Sequence, residues 1–125
     1  MLVNGVDIVE IPRVRRVAER YGQRFLDRIY TGREQSYCRG RAPQLATRFA
    51  AKEAVMKALG TGVRGVPWKD IEVVRRLGRA PTIELHGKAA AHARRMGISQ
   101  FAVSLSHSNE MAVAFVVAES ELPNF

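Results

Sequence analysis

Apolar and polar positions alternate with a period of two from Leu2 to Ile11, setting Val3, Gly5, Asp7, Val9 and Ile11 on one face and Leu2, Asn4, Val6, Ile8 and Glu10 on the other. Both faces are largely apolar, which predicts a strand in the centre of a sheet. Pro12 suits a helix's first turn, so a basic helix is expected to about Arg20, then a break at Gly22 and a second helical stretch through Ile29. Thr31-Gly-Arg-Glu34 has the spacing of a capping box and opens a third, short helix, after which the pattern lapses into a loop around Arg39 to Pro43. The longest helix runs from Gln44 to Leu59, with Leu45, Phe49, Met56 and Leu59 close to one face and Gly60 as its stop.

Beyond it, Gly62, Gly65 and Pro67 read as a loop, Ile71, Val73 and Val74 as a second strand, Gly78 to Pro81 as a turn, and Thr82 to Leu85 as a third strand. An Ala-rich helix is expected from Gly87 to Met96, ending at Gly97. Phe101, Val103, Leu105 and His107 alternate with Ala102, Ser104 and Ser106, and the run Met111 to Ala118 pairs back on them as an antiparallel hairpin. The last few residues read as a loose tail. The pattern predicts an α+β fold, a mostly antiparallel sheet packed against one long helix plus shorter helices.

A chain of 125 residues is long enough to bury a real core, so residues 1–125 are expected to form a single domain. The lone cysteine, Cys38, has no partner for an internal disulfide, which favours a reducing, cytoplasmic setting. No apolar run approaches the roughly 18 residues of a membrane span, and the start Met-Leu-Val-Asn-Gly lacks the basic region of a signal peptide. Charge adds more: 20 Lys and Arg against 12 Asp and Glu leave a net +8, which calls for an acidic partner. Few aromatics and no Cys/His finger weigh against nucleic acid, although a small basic nucleic-acid-binding module is the rival reading.

The segment Phe49 to Gly62 sets Lys52, Glu53 and Lys57 in Ala-rich apolar company. Either that helix face is wet, or a charged group such as a metal ion or a phosphate sits against it. Asp7, among apolar neighbours, is either paired with a base or a ligand, and Glu53 stands four residues before Lys57, the spacing of an ordinary helix-surface pair. Taken together, two carboxylates and nearby lysines suit a magnesium-bridged phosphate ester, because magnesium typically takes one or two protein carboxylates and completes its shell with water and phosphate. Zinc has no paired ligand spacing here. Gly60-Thr-Gly-Val-Arg-Gly65 spells Gly-x-Gly-x-x-Gly, but it closes a helix instead of opening one and reads as a C-cap. His107 lies beside Ser104 and Ser106 without a nucleophile elbow, which favours a structural histidine over a triad. Arg13, Arg16 and Arg20, three and four apart, form a basic stripe that is either a solvated face or a dock for an acidic helix.

These pieces resemble one family, the holo-acyl-carrier-protein synthases, the small bacterial group of 4′-phosphopantetheinyl transferases. The likeness runs nearly end to end: Gly5-Val-Asp-Ile-Val-Glu-Ile11 is similar to the family's first strand, and Arg48-Phe-Ala-Ala-Lys-Glu-Ala54 with Lys57-Ala-Leu-Gly-Thr-Gly62 to its signature helix. Trp68-Lys-Asp-Ile-Glu72, Gly78-Arg-Ala-Pro81 and Ser104-Leu-Ser-His107 follow in the expected order. The resemblance implies the 4′-phosphopantetheinyl transferase fold. It also implies transfer of the phosphopantetheine arm of coenzyme A to a serine of apo acyl carrier protein, releasing adenosine 3′,5′-bisphosphate. It makes Asp7 and Glu53 magnesium ligands and catalytic residues, with Lys57 offsetting charge on the pyrophosphate. Arg48 and Lys52 fall near the nucleotide end, and Gly60, Pro81, Ser106 and His107 line the nucleotide cleft. Arg13, with Arg16 and Arg20, would meet the acidic recognition helix of the carrier. Glu53, a metal-bound water or His107 would take the serine's proton. The family is trimeric with the coenzyme A cleft between subunits, and neither nucleic acid nor membrane is an expected partner.

Overall fold

Strand β1 (Leu2–Glu10) opens the chain and gives way to helix α1 (Ile11–Tyr21), whose first turn carries Pro12 where its missing N–H costs nothing. The computed structural model describes residues 1–121, so the tail expected at the last few residues falls largely outside the described residues. Gly22, at φ 55°, turns the chain into α2 (Gln23–Ile29). The capping box at Thr31 and Glu34 forms as expected and starts α3 (Gly32–Cys38). Helix α4 (Ala42–Leu59) begins two residues earlier than the sequence pattern suggests, because Pro43 fits the first turn and does not have to lie in a loop. Gly60, in the left-handed region at φ 73°, ends it. The loop expected through Gly62 and Gly65 is instead a single helical turn, α5 (Gly62–Gly65). After a 3-10 turn at Trp68–Asp70 come β2 (Ile71–Val74), β3 (Thr82–Leu85), α6 (Gly87–Arg95), β4 (Ala102–His107) and β5 (Met111–Glu119).

The α+β architecture is the one expected, with every strand pair antiparallel, but the strands divide into two sheets. One has the order β1-β5-β4 and the other is the hairpin β2-β3. Strand β1 is therefore an edge strand, not a central one. Its two apolar faces have a different cause: Val3, Gly5 and Val9 turn inward, while Leu2, Val6 and Ile8 stand on an outer sheet face that this chain leaves open, joined there by Met111 and Phe115. Ile8 is 61% exposed and Phe115 45%, an apolar patch of the kind that marks an interface.

Helix α4 is also less one-sided than its pattern suggests. It runs through the middle of the molecule and is buried on nearly every side, with Leu45 and Ala46 in a cluster beneath α1, α2 and α3, and Val55, Met56 and Leu59 in a second cluster with Ile71, Met96 and Phe101. Each large apolar side chain so buried contributes roughly 1.5–3 kcal/mol. Towards the three-stranded sheet the helix approaches very closely, because Gly5 faces the backbone of Ala54; a Cβ on Gly5 would lie 1.9 Å from the Ala54 carbonyl oxygen. That approach brings the charged residues of α4 within reach of Asp7.

Candidate functional site

Asp7 lies at the middle of β1 on the inward face, paired in register with Ala114. From α4, Lys57 reaches across and donates to Asp7 Oδ1 at 3.0 Å and to the Val6 carbonyl at 2.9 Å. The ordinary surface pair between Glu53 and Lys57 does not form: the ammonium goes to Asp7, and among the described residues no ion pair reaches Glu53. Glu53, one helical turn before Lys57, opens with Asp7 into a cavity of about 430 Å³ lined also by Glu10, Arg13, Phe25 and Phe49. Burial raises the Glu53 carboxyl above its ordinary pKa, and the nearby Asp7 charge adds to that, with Lys57 and Arg13 pulling the other way. Two carboxylates facing one cavity, one of them uncompensated, fit a divalent cation held by oxygen donors.

Lys52, expected near the nucleotide, is placed elsewhere. Its ammonium is wholly buried, 2.8 Å from Glu34 Oε1 and donating also to the carbonyls of Trp68 and Ile71. With three acceptors for three N–H groups it has nothing left to offer a ligand. Helix periodicity explains this, since Lys52 is the neighbour of Glu53 and points about 100° away round α4.

A second, smaller pocket of about 150 Å³ gathers Arg48, Ser106 and His107 with Tyr37, Gln44 and Arg75. Arg48 is 5% exposed, its guanidinium lies 4.4 Å from the centre of the Tyr37 ring, and Nη1 donates to Thr47 Oγ1 at 3.0 Å. Its Nη2 is buried without a hydrogen-bond partner. A buried guanidinium with a spare donor beside Arg75 and His107 has the chemistry to receive an anion, since leaving that donor unmet is costly. Arg75 escaped the sequence reading because it lies in the run Arg75-Arg76, which looks like solvated charge; only the hairpin β2-β3 aims it at the pocket.

The two cavities share no lining residue. Asp7, Glu53 and Lys57 are on the β1 border of the sheet, whereas Ser106 and His107 belong to β4, two strands away. Gly60 is exposed at the end of α4, and Pro81, just before β3, lines neither cavity. Arg13, Arg16 and Arg20 are all exposed on α1. Next to that stripe a groove lined by Val17, Tyr21, Arg24, Phe25 and Arg28 continues the basic surface onto α2, so Arg24 and Arg28 join the residues the α1 spacing alone missed.

Glu72, Glu84 and His86 form another cluster whose ligand atoms lie within 4.8 Å of one another. Arg33 sits among them, 3.5 Å from Glu72 and 3.6 Å from Glu84, and Arg76 is 3.8 Å from Glu84, so the acidic charge is already neutralised. Burial alone would raise the Glu72 carboxyl, but hydrogen bonds from Thr31 and His86 and the charge of Arg33 outweigh it and hold it below its ordinary value of 4.5. A depressed carboxyl stabilises the fold above its unfolded pKa and loses that contribution as pH falls through its folded one. Glu72→Gln should therefore cost about 1 kcal/mol at pH 7, and melting curves of the variant and the parent should converge as pH drops below 4.5.

Comparison with known proteins identifies the family. The family model of the 4′-phosphopantetheinyl transferase superfamily matches residues 4–116. A holo-[acyl-carrier-protein] synthase of Koribacter versatilis is 50% identical over 123 residues, covering 95% of this chain and 98% of that protein. Among solved structures, the Helicobacter pylori holo-[acyl-carrier-protein] synthase in complex with coenzyme A has a TM-score of 0.84 at 31% identity, over 93% of this chain and 99% of that one. The synthase from Neisseria meningitidis has a TM-score of 0.85 at 35% identity, over 94% and 98%. Likeness of that extent, in sequence and in fold alike, means that this chain belongs to the 4′-phosphopantetheinyl transferase superfamily and is an enzyme of its holo-acyl-carrier-protein synthase branch.

Proposed function

We propose that the enzyme moves the 4′-phosphopantetheine arm of coenzyme A onto a serine of apo acyl carrier protein, in a magnesium-dependent reaction centred on Asp7 and Glu53. The observation that carries this reading is the shared cavity of those two carboxylates, with Lys57 bound to Asp7 and not to Glu53. The serine hydroxyl oxygen forms a bond to the β-phosphorus, the bond from that phosphorus to the bridging oxygen breaks, and adenosine 3′,5′-bisphosphate leaves. When bound by Asp7 and Glu53, magnesium supplies charge neutralisation on the pyrophosphate. Lys57, exposed and already at Asp7, offers a second positive charge to the same group. Of the side chains that could take the serine's proton, Glu53 shares the cavity with Asp7 and His107 does not. Positioning and charge neutralisation carry most of the work in phosphoryl transfer, so no protein nucleophile is needed.

Arg48, Arg75, Ser106 and His107 suit the anionic nucleotide end of coenzyme A. Ser106 and His107 lie on β4, two strands from Asp7, and the two cavities share no residue, so a neighbouring chain would complete the cleft, and the open apolar face of Leu2, Val6, Ile8 and Phe115 is the surface such a neighbour would cover. A homotrimer with its cleft between subunits meets both needs. Exposed Arg13, Arg16 and Arg20, continued by Arg24 and Arg28, form the dock for the acidic carrier. Arg20→Glu should raise KM for the carrier by roughly tenfold with kcat little changed, and should flatten the salt dependence of KM. No helix among the described residues is long and apolar enough to cross a membrane, and the buried thiol of Cys38 suits the reducing cytoplasm. The deciding experiment mixes the protein with coenzyme A, magnesium and apo carrier and weighs the carrier. No mass gain on its serine, with RNA binding unaffected by Glu53→Ala, would favour the nucleic-acid module instead.

A further inference from the structure

The buried pair of Lys52 and Glu34 has no role in the chemistry above, yet it is an expensive thing to keep. An ammonium held wholly out of water is costly even when paired, and an apolar side chain of similar volume commonly does as well for stability. What distinguishes the pair is the number of segments it joins. Glu34 Oε1 accepts from Lys52 and from the Thr31 N–H at 2.9 Å, and Oε2 accepts from the Val73 N–H at 2.8 Å. Lys52 adds the carbonyls of Trp68 and Ile71. The start of α3, the 3-10 turn, β2 and α4 therefore meet at one point.

Two routes lead from that point to the carboxylate cavity. Lys52 directly precedes Glu53, so fixing the roll of α4 at Lys52 fixes the direction of Glu53. The small side chains Ala46, Ala50, Ala51, Ala54 and Ala58 pack closely but carry no polar direction, and Lys52 adds hydrogen bonds that do. The second route passes through Trp68. Its carbonyl is held by Lys52 and its ring stacks on Phe49, centroids 4.9 Å apart at 26°, while Phe49 lines the cavity one turn before Glu53.

We infer that Lys52, with Glu34 and Trp68, is a positioning residue for phosphopantetheinyl transfer: it sets the roll of α4 and the Phe49 wall, and so the mutual placement of Glu53 and Asp7. This rests on the reading of Asp7 and Glu53 as the magnesium site. Two variants test it. In E34Q/K52M both charges go together and no ion is stranded, whereas W68L leaves the ion pair intact and removes the stack. Coenzyme A binding is measured by calorimetry with and without magnesium, alongside steady-state kinetics and melting curves. Both variants should weaken magnesium-dependent coenzyme A binding by about tenfold, the scale of support lost around a metal site. KM for the carrier should stay within about twofold, since the exposed arginines of α1 contact neither Lys52 nor Trp68. Trp68 is the single tryptophan, so its emission in E34Q/K52M should also shift as the stack loosens. Folded variants that bind magnesium and coenzyme A like the parent, losing activity only with the folded fraction, would overturn the inference. If E34Q/K52M does not fold, W68L decides alone. E53Q serves as the control: if it too leaves magnesium-dependent binding unchanged, the carboxylate reading fails instead of the positioning one.

Discussion

Glu53→Gln should abolish transfer, by on the order of 10³-fold in kcat, and at the same time make the protein more stable. Both halves follow from the same environment. The amide keeps the shape of the side chain but removes the charge that would hold a cation against the pyrophosphate, and it cannot take a proton. In metal-free buffer that charge is a burden on the fold, since burial and the neighbouring Asp7 raise the Glu53 carboxyl above its ordinary value of 4.5. A raised carboxyl binds its proton more tightly in the folded state, so the parent loses stability as pH climbs through the window from 4.5 up to the folded value. The Tm of Glu53→Gln should therefore exceed that of the parent at pH 7, and the gap should close below pH 4.5. Magnesium should raise the Tm of the coenzyme A-bound parent further and leave that of the coenzyme A-bound variant unchanged, because only a ligand bound to the folded state shifts that equilibrium. A variant that lost activity by melting at lower temperature would contradict the account, since the predicted stability change has the opposite sign.

How much of this was legible beforehand depended on how far apart the contributing residues lie. The capping box of Thr31 and Glu34, the break at Gly22 and the stop at Gly60 are local rules acting within a few residues, and all were readable. The hairpin of β4 and β5 was equally plain, because alternation on either side of Ser108-Asn109-Glu110 leaves little choice. Ambiguity began where one pattern has two causes. Apolar residues on both faces of β1 suit a central strand, but equally an edge strand whose outer face another chain covers, and only the sheet order separates them. Charge on α4 was ambiguous in the same way. Lys52 and Lys57 are both lysines in Ala-rich company, yet one is consumed by Glu34, 18 residues earlier, and the other by Asp7, 50 residues earlier, choices made by tertiary contact alone. The same applies to Arg75, which reads as one more solvated cation until the hairpin turns it towards Arg48.

Gly5 is the position where a small sequence feature should have the largest consequence for the fold. Glycine inside a strand weakens it locally and commonly marks a close backbone approach. Here the approach is that of α4: an added Cβ would stand 1.9 Å from the Ala54 carbonyl oxygen, 2.9 Å from its carbon and 3.2 Å from the Ala58 nitrogen. All three are backbone atoms, so no rotamer change relieves the clash, and β1 and α4 would have to separate by more than an ångström. That separation opens the packing around Ala50, Ala54 and Ala114 and lengthens the reach from Lys57 to Asp7. Gly5→Ala should accordingly cost about 3 kcal/mol or more, at the upper end of overpacking changes. Denaturant unfolding gives that loss directly. Its kinetic signature should differ from that of a merely weakened fold: at temperatures where the variant remains folded, the magnesium requirement should rise while KM for the carrier, whose proposed dock is on α1, holds. An unchanged magnesium requirement in folded Gly5→Ala would mean that the spacing between β1 and α4 does not govern how Asp7 and Glu53 meet.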